Sequence, residues 1–273
     1  MFSYVLQDEW KLADSWQLTA GARYDQYSDF GGTINPRAAL VWDINKQLTT
    51  KWLYGKAFRA PGFAEQSAQN NPVRLGNRSL KPETMQTYEW AFDYRPLSSV
   101  RTAVNLYYYQ IKQLIALMPD VGGGTSTFQN TGEQDGYGTE FEWNWQVYEH
   151  WNLMGNYAWQ NARNDQTNAR VTGVPEQQVY VATAWEFMPK WQIQPQLKWV
   201  GNRINPIPGN GALNDYQTID FTLRGKKLYG HLNLAASLRN ALDTRYQEPA
   251  QINIGGNLPM PGRSFYLEAS IHF

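Results

Sequence analysis

Trp191-Gln192-Ile193-Gln194-Pro195-Gln196-Leu197-Lys198-Trp199 is the stretch whose reading decides the fold. Trp191, Ile193, Leu197 and Trp199 take alternate positions against Gln192, Gln194, Gln196 and Lys198, the period of a strand with one apolar and one wet face. The same alternation runs through 16–27, with Leu18, Ala20, Ala22 and Tyr24 on the apolar side. Tyr88, Trp90, Phe92 and Tyr94 repeat it against Glu89, Ala91 and Asp93, and Phe141, Trp143 and Trp145 repeat it against Glu140, Glu142 and Asn144. Counted outward from these, the pattern predicts roughly thirteen strands, near 2–9, 16–27, 35–44, 47–58, 84–95, 99–112, 135–147, 151–163, 175–187, 191–203, 216–228, 231–240 and 262–273. No amphipathic helix of comparable length is visible.

Composition fits a membrane solvent for the apolar face. The 273 residues include 15% aromatics, with 12 Trp and 17 Tyr, yet the mean hydropathy is −0.59. No run approaches the ~18 apolar residues of a transmembrane helix, but a barrel strand shows only one face to lipid and leaves average hydropathy low. Tight connections near 10–15, 45–46, 95–99, 148–150, 188–190 and 228–230 alternate with long ones near 28–34, 59–83, 113–134, 164–174, 204–215 and 241–261. An up-and-down meander then carries its short turns at one end and its long loops at the other, as outer-membrane barrels do. Trp10, Trp16, Trp42, Tyr94, Trp151, Phe187, Trp191 and Tyr229 crowd the tight turns, a candidate aromatic girdle. The competing architecture is a soluble β-sandwich with an aromatic-rich core.

The last segment places Phe265, Leu267, Ala269, Ile271 and Phe273 on one face. With that end on the short-turn side the first strand runs in the same sense, so the strand total is odd, whereas bacterial single-chain barrels have even numbers. The first residues, MFSYVLQDEW, carry neither a basic region nor an apolar core of a signal peptide. Both features predict a portion of a larger barrel.

Three motifs carry a family resemblance. Phe58-Arg59-Ala60-Pro61 with Phe63 and Glu65, followed by Gly76-Asn77, Leu80-Lys81-Pro82-Glu83 and Tyr88-Glu89, resembles the pattern by which TonB-dependent outer-membrane receptors leave one strand and enter the next. Leu238-Arg239-Asn240-Ala241-Leu242-Asp243 with Tyr246 is similar to that family's penultimate-strand ending, and Pro261-Gly262-Arg263 to its closing motif. The resemblance, of the ferric siderophore receptor type, implies an all-β, antiparallel up-and-down transmembrane barrel. Residues 1–273 would be about thirteen C-terminal strands of a 22-stranded barrel, without the plug domain. It also implies residence in the outer membrane of a Gram-negative bacterium, partnership with the plug and TonB, and import of a ferric siderophore or similar scarce nutrient. Such a portion is expected to be inactive alone. A passive porin is the alternative function.

The resemblance further implies that inward carboxylates matching Glu89 and Glu140 hold arginines of the plug. For the ligand, the long-loop end offers Arg59, Arg74 and Arg78 to an anionic chelate and Phe63, Phe128 and Tyr246 as ring faces. Loop arginines and aromatics also pack within loops, and that reading stays open for each. The ferric chelate is cargo; no cofactor is expected to be held by the chain itself.

Other chemistries find no support. The formal charge is zero with a pI near 6.8, which gives no electrostatic footprint for nucleic acid. Cysteine is absent, and His150, His231 and His272 are too dispersed for a metal cage or a nucleophile's base. Gly122-Gly123-Gly124 has no helix after it and reads as a loop, not a phosphate cradle. No catalytic residue is expected.

Overall fold

A computed structural model describes residues 1–69, 73–206, 211–249 and 256–271. Thirteen long strands follow one another: β1 (Phe2–Ala13), β2 (Trp16–Tyr27), β3 (Gly31–Asp43), β4 (Leu48–Arg59), β5 (Glu83–Leu97), β6 (Val100–Pro119) and β7 (Ser126–Tyr148), then β8 (Trp151–Asn164), β9 (Pro175–Met188), β10 (Trp191–Ile204), β11 (Tyr216–Leu228), β12 (Leu232–Arg239) and β13 (Ser264–Ile271). Their order in the sheet is their order in the chain. The helix found among the described residues is a single turn, α1 (Phe63–Ser67). His272 and Phe273, the expected end of the last outward row, lie outside the described residues.

The expected strands are present, with corrections at the connections. The tight turn near 10–15 is only residues 14–15, because β1 runs to Ala13. The long loop near 28–34 is a three-residue turn at 28–30, shorter than the four-residue turn at 44–47, so length does not alternate strictly. The loop near 113–134 is mostly strand: β6 has 20 residues and β7 has 23, joined through 120–125. About ten residues cross a bilayer, so both strands are long enough to continue well past it.

The chain packs as two compact units, one of 1–92, 105–138 and 161–170, the other of 93–104, 139–160 and 171–273. In the first, Trp16 faces Trp42, Leu18 faces Leu40 and Ala20 faces Ala38 across β2 and β3. Trp16 and Trp42 stack at 4.8 Å, and Trp52 continues the row to Trp90 at 6.2 Å. In the second, Val181 faces Leu197 and Trp185 faces Ile193, while the opposite face pairs Gln192 with Arg224, Gln194 with Thr222 and Gln196 with Asp220.

These rows do not close over an apolar interior. Among the described residues the buried hydrophobic ones are few and scattered: Leu80, Ala162, Ala182, Val200, Leu213 and Tyr216. Large apolar side chains stay open instead, Trp90 at 43% and Trp185 at 50% exposure. A β-sandwich would bury such rings between its sheets; a sheet whose apolar face meets lipid leaves them uncovered by protein.

Candidate functional site

The connection between β4 and β5 is held by a clasp built on two ion pairs. Arg59, the last residue of β4, meets Glu83, the first of β5, at two points, with Nε 2.6 Å from Oε2 and Nη2 2.7 Å from Oε1. Its Nη1 and Nη2 also reach Glu65 of α1 at 3.0 and 3.1 Å. Glu65 in turn accepts the N–H of Gly62 at 2.6 Å, which caps the helix start. Partial burial pushes the Glu65 carboxyl up, but the Arg59 guanidinium and the Gly62 N–H outweigh it and hold the group below its usual range.

The return half of the loop locks onto this frame. Asn77 donates its backbone N–H to the Glu65 carbonyl at 2.8 Å and its side-chain amide to the Phe128 carbonyl at 3.0 Å. Asn130 of β7 accepts from Lys81 N at 2.8 Å and donates to the carbonyls of Lys81 and Gln113. Glu83 Oε1 also takes the Ile115 N–H at 2.8 Å. A Cβ on Gly76 would lie 2.5 Å from Ala68 N and 2.6 Å from Ser67 N, so only glycine admits this approach of the loop to the end of α1. Leu80 is buried at 3% exposure. The residues of the first motif thus hold the loop together.

Five of the six candidate ligand residues fall in this first unit. Arg59 has its donors engaged by two carboxylates, the packed alternative left open for loop arginines. Phe63 opens α1 and is 86% exposed. Arg74 belongs to the two-residue strand Arg74–Leu75, which pairs parallel with Ser126–Thr127. Arg74 and Arg78 are exposed, while Phe128 is half-buried. Glu89 is half-buried in the same unit and accepts from Asn105 Nδ2 at 3.2 Å. Glu140, in the second unit, is exposed on the face opposite the Phe141 and Trp143 rings.

Tyr246, also in the second unit, belongs to a network whose other members alternation does not reveal. Its ring stacks on Tyr216 at 4.0 Å, and the Arg203 guanidinium lies 4.7 Å from the Tyr216 ring centroid. Arg203, only 2% exposed, donates to the carbonyls of Gln247 and Asn214 and to Glu248, which also accepts from the Tyr216 hydroxyl at 2.9 Å. By strict parity Arg203 would share the outward row of Trp199. Asn202 before it has φ 56°, which breaks the extended repeat there. Such a turn of backbone is the signal that parity reading passes over. The network borders a cavity of about 630 Å³.

A second clasp closes the β12–β13 connection. Asn240, at φ 47°, accepts from Thr244 N at 2.9 Å and donates to the carbonyls of Thr244 and Pro261. Asp243 accepts the Arg263 N–H at 2.8 Å, and a Cβ on Gly262 would lie 2.7 Å from its Oδ1. Arg239 pairs with Asp220 at 3.0 Å. The two C-terminal motifs are therefore halves of one hydrogen-bonded joint.

With both clasps in place, the comparison with known proteins is direct. The profile of the family described as TonB dependent receptor-like, beta-barrel matches residues 2–241. The chain belongs to that family. TonB-dependent receptor barrels are outer-membrane proteins of Gram-negative bacteria, and the family is one of receptors and transporters. The chain is 22% identical over 289 residues to the iron-regulated outer membrane virulence protein of Vibrio cholerae, with 98% of this chain and 44% of the relative covered. It is 30% identical over 138 residues to the vitamin B12 transporter BtuB of Vibrio cholerae, covering 50% of this chain and 21% of that protein. The crystal structure of the siderophore receptor PirA from Acinetobacter baumannii superposes with a TM-score of 0.84 at 18% identity, over 99% of this chain and 45% of that one. The chain thus spans a little under half the length of the iron-regulated Vibrio cholerae relative.

Proposed function

We propose that the chain is a C-terminal portion of the barrel of a TonB-dependent receptor that imports a ferric siderophore or a similar scarce nutrient. The observation that carries this reading is family membership over residues 2–241. Iron regulation in the name of one relative and siderophore reception in the name of a structural neighbour favour ferric cargo. Phe63, Arg74 and Arg78, exposed around the first clasp, and Tyr246 beside the 630 Å³ cavity are the residues offered to it.

The remainder of such a receptor has two tasks for this portion. Glu89 and Glu140 present carboxylates on the polar face, where arginines of a plug domain would be held by charge-assisted bonds. β1 and β13 end the strand order of the sheet, and further strands would cover their free edges. Uptake then depends on the plug and TonB, and this portion alone is inactive.

The test is uptake of radiolabelled iron, presented as ferric siderophores of several classes, by cells expressing the full-length receptor with and without TonB. Uptake that requires TonB is expected. Equal uptake without TonB would replace this reading with a passive porin, and no uptake of any ferric chelate would remove iron from the proposal.

A further inference from the structure

Two tryptophans, one in each compact unit, direct their indole N–H in the same way. Trp90 Nε1 donates to Thr50 Oγ1 at 2.9 Å, and that hydroxyl donates onward to the Ala91 carbonyl at 3.1 Å. Trp151 Nε1 donates to Thr183 Oγ1 at 2.7 Å, and that hydroxyl donates to the Asn152 carbonyl at 2.9 Å. Each relay runs from the indole to a threonine on an adjacent strand, the preceding one for Trp90 and the following one for Trp151, and returns to the residue after the tryptophan. Thr50 is 1% exposed, so its relay is closed to solvent.

The rings themselves are not enclosed. Trp90 is 43% exposed and rests on Trp52 and Phe92, with centroids at 6.2 and 4.7 Å. Trp151 rests on Trp185 at 6.2 Å, and Trp185 is 50% exposed beside Phe187. Interfacial tryptophans ordinarily place the ring in apolar surroundings while the N–H finds an acceptor in the wet layer. A donor already bonded within the protein has no such need, and hydrocarbon tolerates it where it would not tolerate a free N–H. Trp185 provides the contrast: it pairs with Trp151 in register, yet its indole N–H has no acceptor among the described residues.

We infer that the Trp90 and Trp151 surfaces bind phospholipid acyl chains through their ring faces alone, making no hydrogen bond to lipid ester carbonyls, whereas Trp185 takes one. The inference rests on the outer-membrane barrel reading. It makes the lipid contacts of these two rings indifferent to lipid ester chemistry, with two threonines as the cause.

The experiment compares the full-length receptor, labelled with ¹⁵N at the indoles, in nanodiscs of diacyl and of diether phosphatidylcholine, which lacks the ester carbonyl. Indole signals are assigned through Trp90→Phe, Trp151→Phe and Trp185→Phe. The Trp90 and Trp151 signals should keep their positions between the two lipids and show transfer from acyl protons, while the Trp185 signal shifts. Thr50→Val and Thr183→Val should make the corresponding indole lipid-sensitive, and Thr50→Ser and Thr183→Ser should not. Wild-type Trp90 and Trp151 signals that move with the ester would overturn the inference without any variant having to fold. Acyl transfer absent at all three indoles would instead remove the lipid-facing assignment on which it rests.

Discussion

Arg59 and Glu83 join the end of β4 to the start of β5 by two parallel hydrogen bonds of 2.6 and 2.7 Å. The connection between the two strands is thereby closed at its base, and α1 is drawn in through Glu65. Planar two-point pairing is beyond the reach of a lysine. In the full-length receptor, Arg59→Lys and Glu83→Gln should both loosen residues 63–80. The pair is partly open to water, so the expected effect is about 1 kcal/mol in local opening. Hydrogen exchange of the loop amides measures it, and unchanged protection would count against the clasp.

Gly76 is the point of closest approach to α1. Gly76→Ala should open the loop by about 1–3 kcal/mol, the range for overpacking against backbone that cannot move aside. Gly62→Ala is the control, because its added Cβ would lie 3.4 Å from Glu65 Oε2, an ordinary contact. Limited proteolysis within 63–80 should separate the two, and equal resistance would contradict the geometry.

Asn240 combines a left-handed backbone with three side-chain hydrogen bonds. Asn240→Ala loses both properties and should lower barrel stability by about 2–4 kcal/mol. Asn240→Gly keeps the backbone freedom and isolates the hydrogen-bonding share. Heat-induced unfolding followed by gel mobility reads the difference, and an alanine variant as stable as wild type would refute the joint.

Two loops should answer acid in opposite senses. Glu65 has its folded pKa held below the ordinary 4.5, so its contribution is complete above 4.5 and disappears as pH falls through the lowered value. Asp165 is raised above 3.8, first by its hydrogen bond with Asp135, then by burial and by the charges of Asp135 and Glu133. Its contribution is present below 3.8 and is lost as pH rises through the raised value. Acidification should therefore speed exchange around α1 and slow it around 165–174. Glu65→Gln should abolish the first response and Asp165→Asn the second; parallel responses in both loops would exclude these assignments.

Most of the strand architecture was legible because lipid enforces period two. Trp191 through Trp199 lies as alternation requires, and β11 copies the bounds read from its sequence. Past the apolar layer that enforcement stops. Gln113 takes φ 61°, which interrupts the extended repeat just before the consecutive apolar pair Leu114-Ile115, and 126–134 carries no apolar stripe, so the ends of β6 and β7 look like loop. Arg203 escaped notice for the related reason that parity fails at Asn202. The first motif was visible from Phe58 to Glu89, but composition could not show whether Arg59 faced cargo or carboxylates. Only the placement of Glu65 and Glu83 shows that its charge is already met.

At the tip of the β6–β7 hairpin, Gly122, Gly123 and Gly124 have φ of 104°, 77° and 91°, and Cβ atoms built on them would meet nothing within 4 Å. Three permissive residues in open space, carried on paired strands, make a natural place to add sequence. A short epitope or a dye-labelling peptide inserted between Gly123 and Gly124 would be carried at the hairpin tip, two residues before Ser126, where β7 meets Arg74 of the first clasp's loop.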